Sequence, residues 1–474
     1  MYNPNRKLQE ICKEALRRVT PSREEAAKTL RFVKALTARL SLELEKMNIK
    51  AEVRVEGSIA KDTWLTGEKD IDLFILIPKE YGRSGFVKVL EATKKVSGGN
   101  FLEAYAEHPY IQAEIEGFTV DFVPCFKLEK AQDAISSVDR TPFHTIYVKK
   151  HLKPNERNEV RLLKKFLRGI EAYGAEIKIG GFSGYLCEIL VMYYGSFLNV
   201  LRASSNWRER EFIDLRGYYK GEEEKALKIF DQPLVVIDPV DKSRNVASAV
   251  RRERLAEFIA ASRLFLEKPR IDFFFPPEIK TFHAEKAIKK MNSRGTSFIF
   301  LKTAVARTVP DVLWGQLYKS QRALRGAISR HGFKILREAV WSDEKNLVVF
   351  IFELQSHLLP AVEKHLGPPI TKKKDCERFL KKHLASKQLI SGPRIEGNRW
   401  VVERRRKYQD VAILLRDILK NGGRSIGIAN LISKAFSSSL EIFVNDEIKE
   451  LYSKNPEFAS FFTGYLVGRP GWLR

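Results

Sequence analysis

Asp70 and Asp72 stand two residues apart in the run Asp70-Ile71-Asp72-Leu73-Phe74. On a β-strand that spacing sends both carboxylates to one face and Ile71, Leu73 and Ile75 to the other. Two oxygen donors so placed suit Mg²⁺, a hard ion that keeps waters and substrate phosphates in its shell. Asp121, between Val120 and Phe122 in a second apolar run, is the candidate third ligand, because an unpaired charge in such a strand is costly. Upstream lies Glu56-Gly57-Ser58-Ile59-Ala60-Lys61-Asp62-Thr63-Trp64. Gly57 permits close approach of a phosphate, Ser58 and the N–H groups after it suit β- and γ-phosphates, and Lys61 adds a compact positive charge. A lone Asp-x-Asp is commonly a solvated strand end, and a lone Gly-Ser means little. Their combination points to metal-assisted chemistry on a nucleotide.

Those residues need a framework, and the flanking pattern supplies one. Thr20-Pro21-Ser22 followed by Glu25 forms a capping box, after which Leu30, Val33, Leu36, Leu40 and Leu44 recur at helical spacing, so a long amphipathic helix is expected over about 22–47. Strands are expected at Ala51–Val55 and Ile71–Ile77, and a hairpin joins Tyr110–Ile115 to Phe118–Val123 through Glu116-Gly117. From about Asn155 the pattern turns helical, with Val160, Leu163, Leu167 and Ile170 on one face and Arg161, Lys164 and Arg168 on another. An aromatic strand, Phe273-Phe274-Phe275, is expected before the stop Pro276-Pro277, and strands at Ser297–Leu301 and Leu347–Leu354 follow among basic helices.

The chain's 474 residues exceed one ordinary core and suggest about three domains. No apolar run approaches the ~18 residues that cross a bilayer, and MYNPNRKLQE is not a signal peptide, so no membrane partner and a cytoplasmic location are expected. Cys12, Cys125, Cys187 and Cys376 lie far apart without a CxxC pair and read as buried, reduced thiols. A net charge of +24 implies a polyanionic partner. Residues 1–150 carry 25 Lys+Arg against 22 Asp+Glu, 151–270 carry 22 against 17, and 271–474 carry 36 against 20. That asymmetry assigns chemistry to the N-terminal part and the nucleic-acid grip to the C-terminal part.

With these residues in place the chain resembles the DNA polymerase β nucleotidyltransferase superfamily, and within it the archaeal, class I CCA-adding enzymes. The resemblance covers about residues 20–265. Beyond the Gly57–Trp64 and Asp70–Asp72 stretches it rests on Arg140-Thr141-Pro142-Phe143-His144, Val160-Arg161-Leu162-Leu163-Lys164, Gly181-Phe182-Ser183-Gly184-Tyr185-Leu186-Cys187-Glu188, Asp238-Pro239-Val240-Asp241 and Arg244-Asn245-Val246-Ala247. It implies an α+β multidomain fold: a polymerase β-like head with a mixed sheet (1–152), a helical central neck domain (153–269), and a basic α/β RNA-binding body and tail (270–474). It further implies template-independent addition of C, C and A to the 3′ end of tRNA from CTP and ATP, with two Mg²⁺ ions held by Asp70, Asp72 and Asp121. Gly57, Ser58 and Lys61 would bind the triphosphate, His144, Lys164 and Tyr173 would complete the nucleotide pocket, and Arg244 would face the base. The partner is the tRNA acceptor stem, and the assembly admits a homodimer. The rival readings are a poly(A) polymerase or oligoadenylate synthetase, separable by product length and CTP use, and a catalytically silent RNA-binding protein, against which the intact carboxylates argue.

Overall fold

A computed structural model describes residues 4–105, 109–136 and 138–474. The chain divides into two compact units, one of residues 1–278 with 469–474 and the other of residues 279–468.

The first unit begins with α1 (Pro4–Val19) and α2 (Arg23–Lys46). Ser22 caps α2 by accepting the Glu25 N–H at 3.0 Å, and Phe32, Val33, Leu36, Leu40 and Leu44 form its buried stripe. Leu30, expected in that stripe, is 59% exposed, because it falls on the solvent side of the helix. The Glu25 carboxylate is held by the Ser22 backbone N–H, the reciprocal half of the capping box, and also accepts from the Thr66 hydroxyl (2.6 Å) and the Gly67 N–H (2.7 Å), tying the loop before Asp70 to the helix start.

There follow β1 (Glu52–Val55), α3 (Gly57–Lys61), β2 (Asp70–Ile77), α4 (Gly82–Ser97), β3 (Phe101–Tyr105), β4 (Pro109–Ile115) and β5 (Phe118–Phe126). The sheet order is β1-β2-β5-β4-β3, with β2 parallel to β5 and the other neighbours antiparallel. Glu116 (φ 53°) and Gly117 (φ 77°) make the tight β4–β5 turn, both with the positive φ that a two-residue hairpin favours. Ile71, Leu73, Ile75 and Ile77 pack with the α2 and α4 side chains in one core cluster, which leaves Asp70 and Asp72 on the other face.

Next are α5 (Thr141–His151), α6 (Glu156–Gly169), α7 (Gly184–Tyr194), α8 (Phe197–Ser204), β6 (Glu211–Asp214), α9 (Glu223–Ile229), β7 (Leu234–Asp238), β8 (Asp241–Asn245) and α10 (Arg252–Glu267). The region expected as helical thus also carries a small sheet, β6-β7-β8. Phe166 on α6 stacks on Phe273 at 5.9 Å and meets Phe197, Phe265 and Phe274 edge-on. The aromatic run expected as a strand is instead a 3₁₀ turn, Ile271–Phe273, since those rings fill the α6–α10 core and leave no partner strand for their backbone. The last residues return here: Trp472 packs on Phe273 (5.4 Å), and its carbonyl accepts from Arg270 (2.9 Å).

The second unit comprises α11 (Ala284–Asn292), β9 (Ser297–Ala304), α12 (Pro310–Arg330), β10 (Ile335–Ser342), β11 (Leu347–Leu354), β12 (Val362–Pro369), α13 (Lys373–Leu384), β13 (Leu389–Glu396), β14 (Arg399–Arg405), α14 (Val411–Leu419), α15 (Asn430–Ser439), β15 (Glu441–Val444), α16 (Lys449–Lys454) and α17 (Pro456–Val467). Its strands form two antiparallel sheets, β10-β11-β9-β15 and β12-β14-β13. All four cysteines are buried free thiols. No single helix among the described residues is long and apolar enough to cross a membrane.

Candidate active site

The parallel register of β2 and β5 sets Asp72 opposite Asp121 and Asp70 opposite Thr119. Asp70, Asp72 and Asp121 therefore share the sheet face that α2 and α4 leave uncovered. Each carboxyl is raised above its ordinary value, first by burial and then by neighbouring carboxylates, and Asp121 is pushed up to about 6 despite a 2.8 Å hydrogen bond from Gln112. Like charges crowded in a half-buried place repel one another until a cation joins them. Among the described residues no three His, Cys, Asp or Glu side chains close into a ready-made cage. Mg²⁺ does not need one: it is held by one or two carboxylates with waters and substrate phosphates filling the rest of its shell, so an oxygen-only cluster with excess negative charge fits it.

Gly57 (φ 67°) opens α3 directly against this cluster, and a Cβ there would lie 1.9 Å from Asp72 Oδ2. Glycine is thus required by the carboxylate as well as by the backbone. Ser58 follows at the start of the helix, its hydroxyl making no hydrogen bond among the described residues. Lys61 is buried at the end of α3, and its Nζ donates to Glu188 Oε2 at 2.6 Å. Thr63 donates its hydroxyl to the other Glu188 oxygen at 2.7 Å. Lys164, 1% exposed, donates to the Thr63 carbonyl (2.9 Å) and hydroxyl (3.3 Å). Burial pulls the Lys164 ammonium below its ordinary value, opposed by Glu188. Tyr173 reaches the same place: a Cβ on Gly184 would sit 3.1 Å from its hydroxyl and 3.4 Å from Lys164 Nζ. One carboxylate, Glu188, thus faces two buried lysines, leaving a net positive charge next to the aspartates.

His144 and Arg244 lie in a second, adjoining cluster. Both bond Asp238 Oδ2, His144 through Nε2 (2.9 Å) and Arg244 through Nη1 (2.8 Å). Tyr185 stacks on His144 at 4.1 Å and has Lys61 Nζ 5.8 Å from its ring centre, so it bridges the two clusters. Every residue singled out from the sequence falls in one or the other. Gln112, Thr63, Tyr185, Glu188 and Asp238 had not been singled out. All but Gln112 lie inside the quoted motif runs, but the pairings Tyr185–Asp238, His144–Asp238, Thr63–Glu188 and Lys61–Glu188 span 53, 94, 125 and 127 residues and are invisible to local spacing.

Comparison with known proteins gives three family matches in succession along the chain. Residues 38–144 match the family model "Nucleotidyltransferase domain", 158–275 match "tRNA nucleotidyltransferase, second domain", and 294–444 match "CCA-adding enzyme, C-terminal domain". A CCA-adding enzyme of Methanothermobacter thermautotrophicus is 36% identical over 95% of this chain and 96% of its own length. One of Pyrobaculum islandicum is 37% identical over 89% and 96%, and one of Halobacterium salinarum 35% identical over 96% and 98%. With such identity along nearly the whole length of both chains, and three family models matched in succession, the chain belongs to the archaeal CCA-adding enzyme family.

Proposed function

We propose that this protein completes tRNA by adding C, C and A to its 3′ end from CTP and ATP, without a template, and that Asp70, Asp72 and Asp121 hold the magnesium this requires. The observation that carries the reading is the juxtaposition of three carboxylates with Gly57 and the Lys61–Lys164 cluster on one face of the head sheet. The RNA 3′-hydroxyl gives its proton to solvent and its oxygen bonds the α-phosphorus as the bond from that phosphorus to the β-phosphate bridging oxygen breaks, and pyrophosphate leaves. Two Mg²⁺ ions held by Asp70, Asp72 and Asp121 would supply activation of the hydroxyl and neutralisation of the triphosphate charge. The chain supplies position: Gly57 and Ser58 let the triphosphate approach the backbone, while Lys61 and Lys164 counter its charge. Tyr173 closes that side of the pocket and His144 the other. The work takes place in the cytoplasm.

Arg244 accounts for choosing C and A. Cytosine N3 and adenine N1 are acceptors, whereas uracil N3 and guanine N1 carry hydrogens. Arginine only donates, so U and G leave a donor facing a donor, at a cost of roughly 1–3 kcal/mol.

The test uses tRNA lacking its CCA end, Mg²⁺ and labelled CTP or ATP. Addition should stop after C, C and A; long A tracts or no addition would overturn the reading. Asp70→Ala, Asp72→Ala and Asp121→Ala should each abolish incorporation while filter binding of tRNA stays near normal. A variant that still incorporates would remove its residue from the metal site.

A further inference from the structure

Asp238 ends β7 with no exposed surface. Its two oxygens meet four donors, from α5, α7, β8 and the turn that follows β7. Oδ2 takes Arg244 Nη1 from β8 and His144 Nε2 from α5, and Oδ1 takes the Tyr185 hydroxyl from α7 (3.0 Å) and the Val240 N–H (3.0 Å). Burial alone would raise this carboxyl, but these hydrogen bonds outweigh it and hold the group down at about 2. The donors differ in what else they can do. His144 and Tyr185 are packed against each other, whereas Arg244 keeps 31% of its side chain exposed, and Asp238 is its one hydrogen-bonding partner among the described residues.

An arginine penalises uracil and guanine only if it cannot turn away from them. A mobile guanidinium would rotate past the offending N–H and donate to the carbonyl oxygen beside it, and the penalty would vanish. One nitrogen fastened to a buried carboxylate removes that escape, because turning would strip a charged oxygen of its donor. We infer that Asp238 is the positioning residue for nucleobase selection, acting by fixing the direction in which Arg244 presents its remaining N–H groups. This rests on the reading of Arg244 as the group that faces the base. Tyr185 and His144 serve the same end by filling the other acceptor sites of Asp238, so that its carboxylate stays where Arg244 needs it.

The experiment is a double-mutant cycle on the full chain, reading kcat/KM for CTP, ATP, UTP and GTP on tRNAs that end before each C and before the final A. The proteins are the parent, Asp238→Asn, Arg244→Ala and the double variant. Asparagine keeps the shape but offers one acceptor oxygen and brings an NH₂ donor against Arg244. Asp238→Asn should lower the preference for CTP and ATP over UTP and GTP by about tenfold, and should have no further effect on that preference once Arg244 is alanine. Equal slowing of all four nucleotides, or effects on preference that multiply in the double variant, would overturn the inference. Preference lost in Arg244→Ala but kept in Asp238→Asn overturns the inference alone, while preference kept in Arg244→Ala overturns the base-reading assignment beneath it. Should the asparagine variant not fold, Asp238→Glu decides: it retains the charge but shifts it by a methylene, so preference should fall, and an unchanged preference would sink the proposal.

Discussion

Gly57 shows how little space separates the backbone from the chemistry. Its Cα sits so near Asp72 that any side chain would displace the carboxylate, and its φ of 67° adds strain for any other residue. Misplacing a catalytic group by about 1 Å costs on the order of a hundredfold in rate. Gly57→Ala is therefore expected to lower incorporation by about a hundredfold or more while tRNA affinity changes by less than about twofold. Parallel incorporation and filter-binding assays check this, and a normal rate would separate Asp72 from the site. Lys61 and Glu188 pose the complementary case. Their 2.6 Å pair is buried on both sides and joins α3 to α7, so the short helix opened by Gly57 is tied to the helices that follow residue 156 by charge as well as by packing.

At the scale of elements, strands hold what helices and loops only approach. β2 and β5 make one ladder from residue 70 to 126, and the register of that ladder alone brings Asp121 to Asp72. In the second unit, β11 carries Glu353, wholly buried between Arg294 (2.6 Å) and Arg337 (2.8 Å) with Thr296 donating as well (2.8 Å). Burial would raise this carboxyl, but the three donors together hold it below its ordinary value. A depressed carboxyl contributes stability that is present above the unfolded-state pKa of about 4.3 and lost as pH falls through the lower folded value. Glu353→Gln should thus destabilise the protein by about 3–5 kcal/mol at pH 7, and the gap from the parent should close as pH is lowered below about 4. Urea unfolding at pH 7 and pH 3 measures both; a gap that does not change with pH would show that the charge of Glu353 is irrelevant.

For the whole molecule, charge is divided as unevenly as the sequence suggests. Residues 279–468 carry 34 Lys+Arg against 18 Asp+Glu. One cleft in that unit, of about 680 Å³, is lined by Arg330, His331, Lys382, His383, Arg404 and Arg405 among others. Arg404 is paired with Glu363, but Lys382 and Arg405 are exposed and meet no carboxylate among the described residues. They are free for phosphates. Affinity for tRNA should fall by at least about tenfold between 50 and 200 mM KCl, and Lys382→Glu with Arg405→Glu should both weaken binding and flatten that dependence. Salt titrations of the parent and the double variant provide the check. An unaltered slope would move the RNA grip elsewhere on the unit.

Local spacing by itself determined that Asp70 and Asp72 share a face, that Glu116-Gly117 turns a hairpin, that Ser22 starts a helix, and, through its motif runs, the family and α+β class of the chain. Those features depend on residues within a few positions of each other, where the 2.0 and 3.6 residue periods operate. Only the tertiary structure decided that Leu30 faces solvent, that Phe273 and Phe274 close a core rather than extend a strand, and that Trp472 returns to pack beside them. The same holds for the site. Glu188 meets Lys61 across 127 residues and Asp238 meets His144 across 94, and such pairings are set by how whole elements pack, which no pattern along a single element encodes.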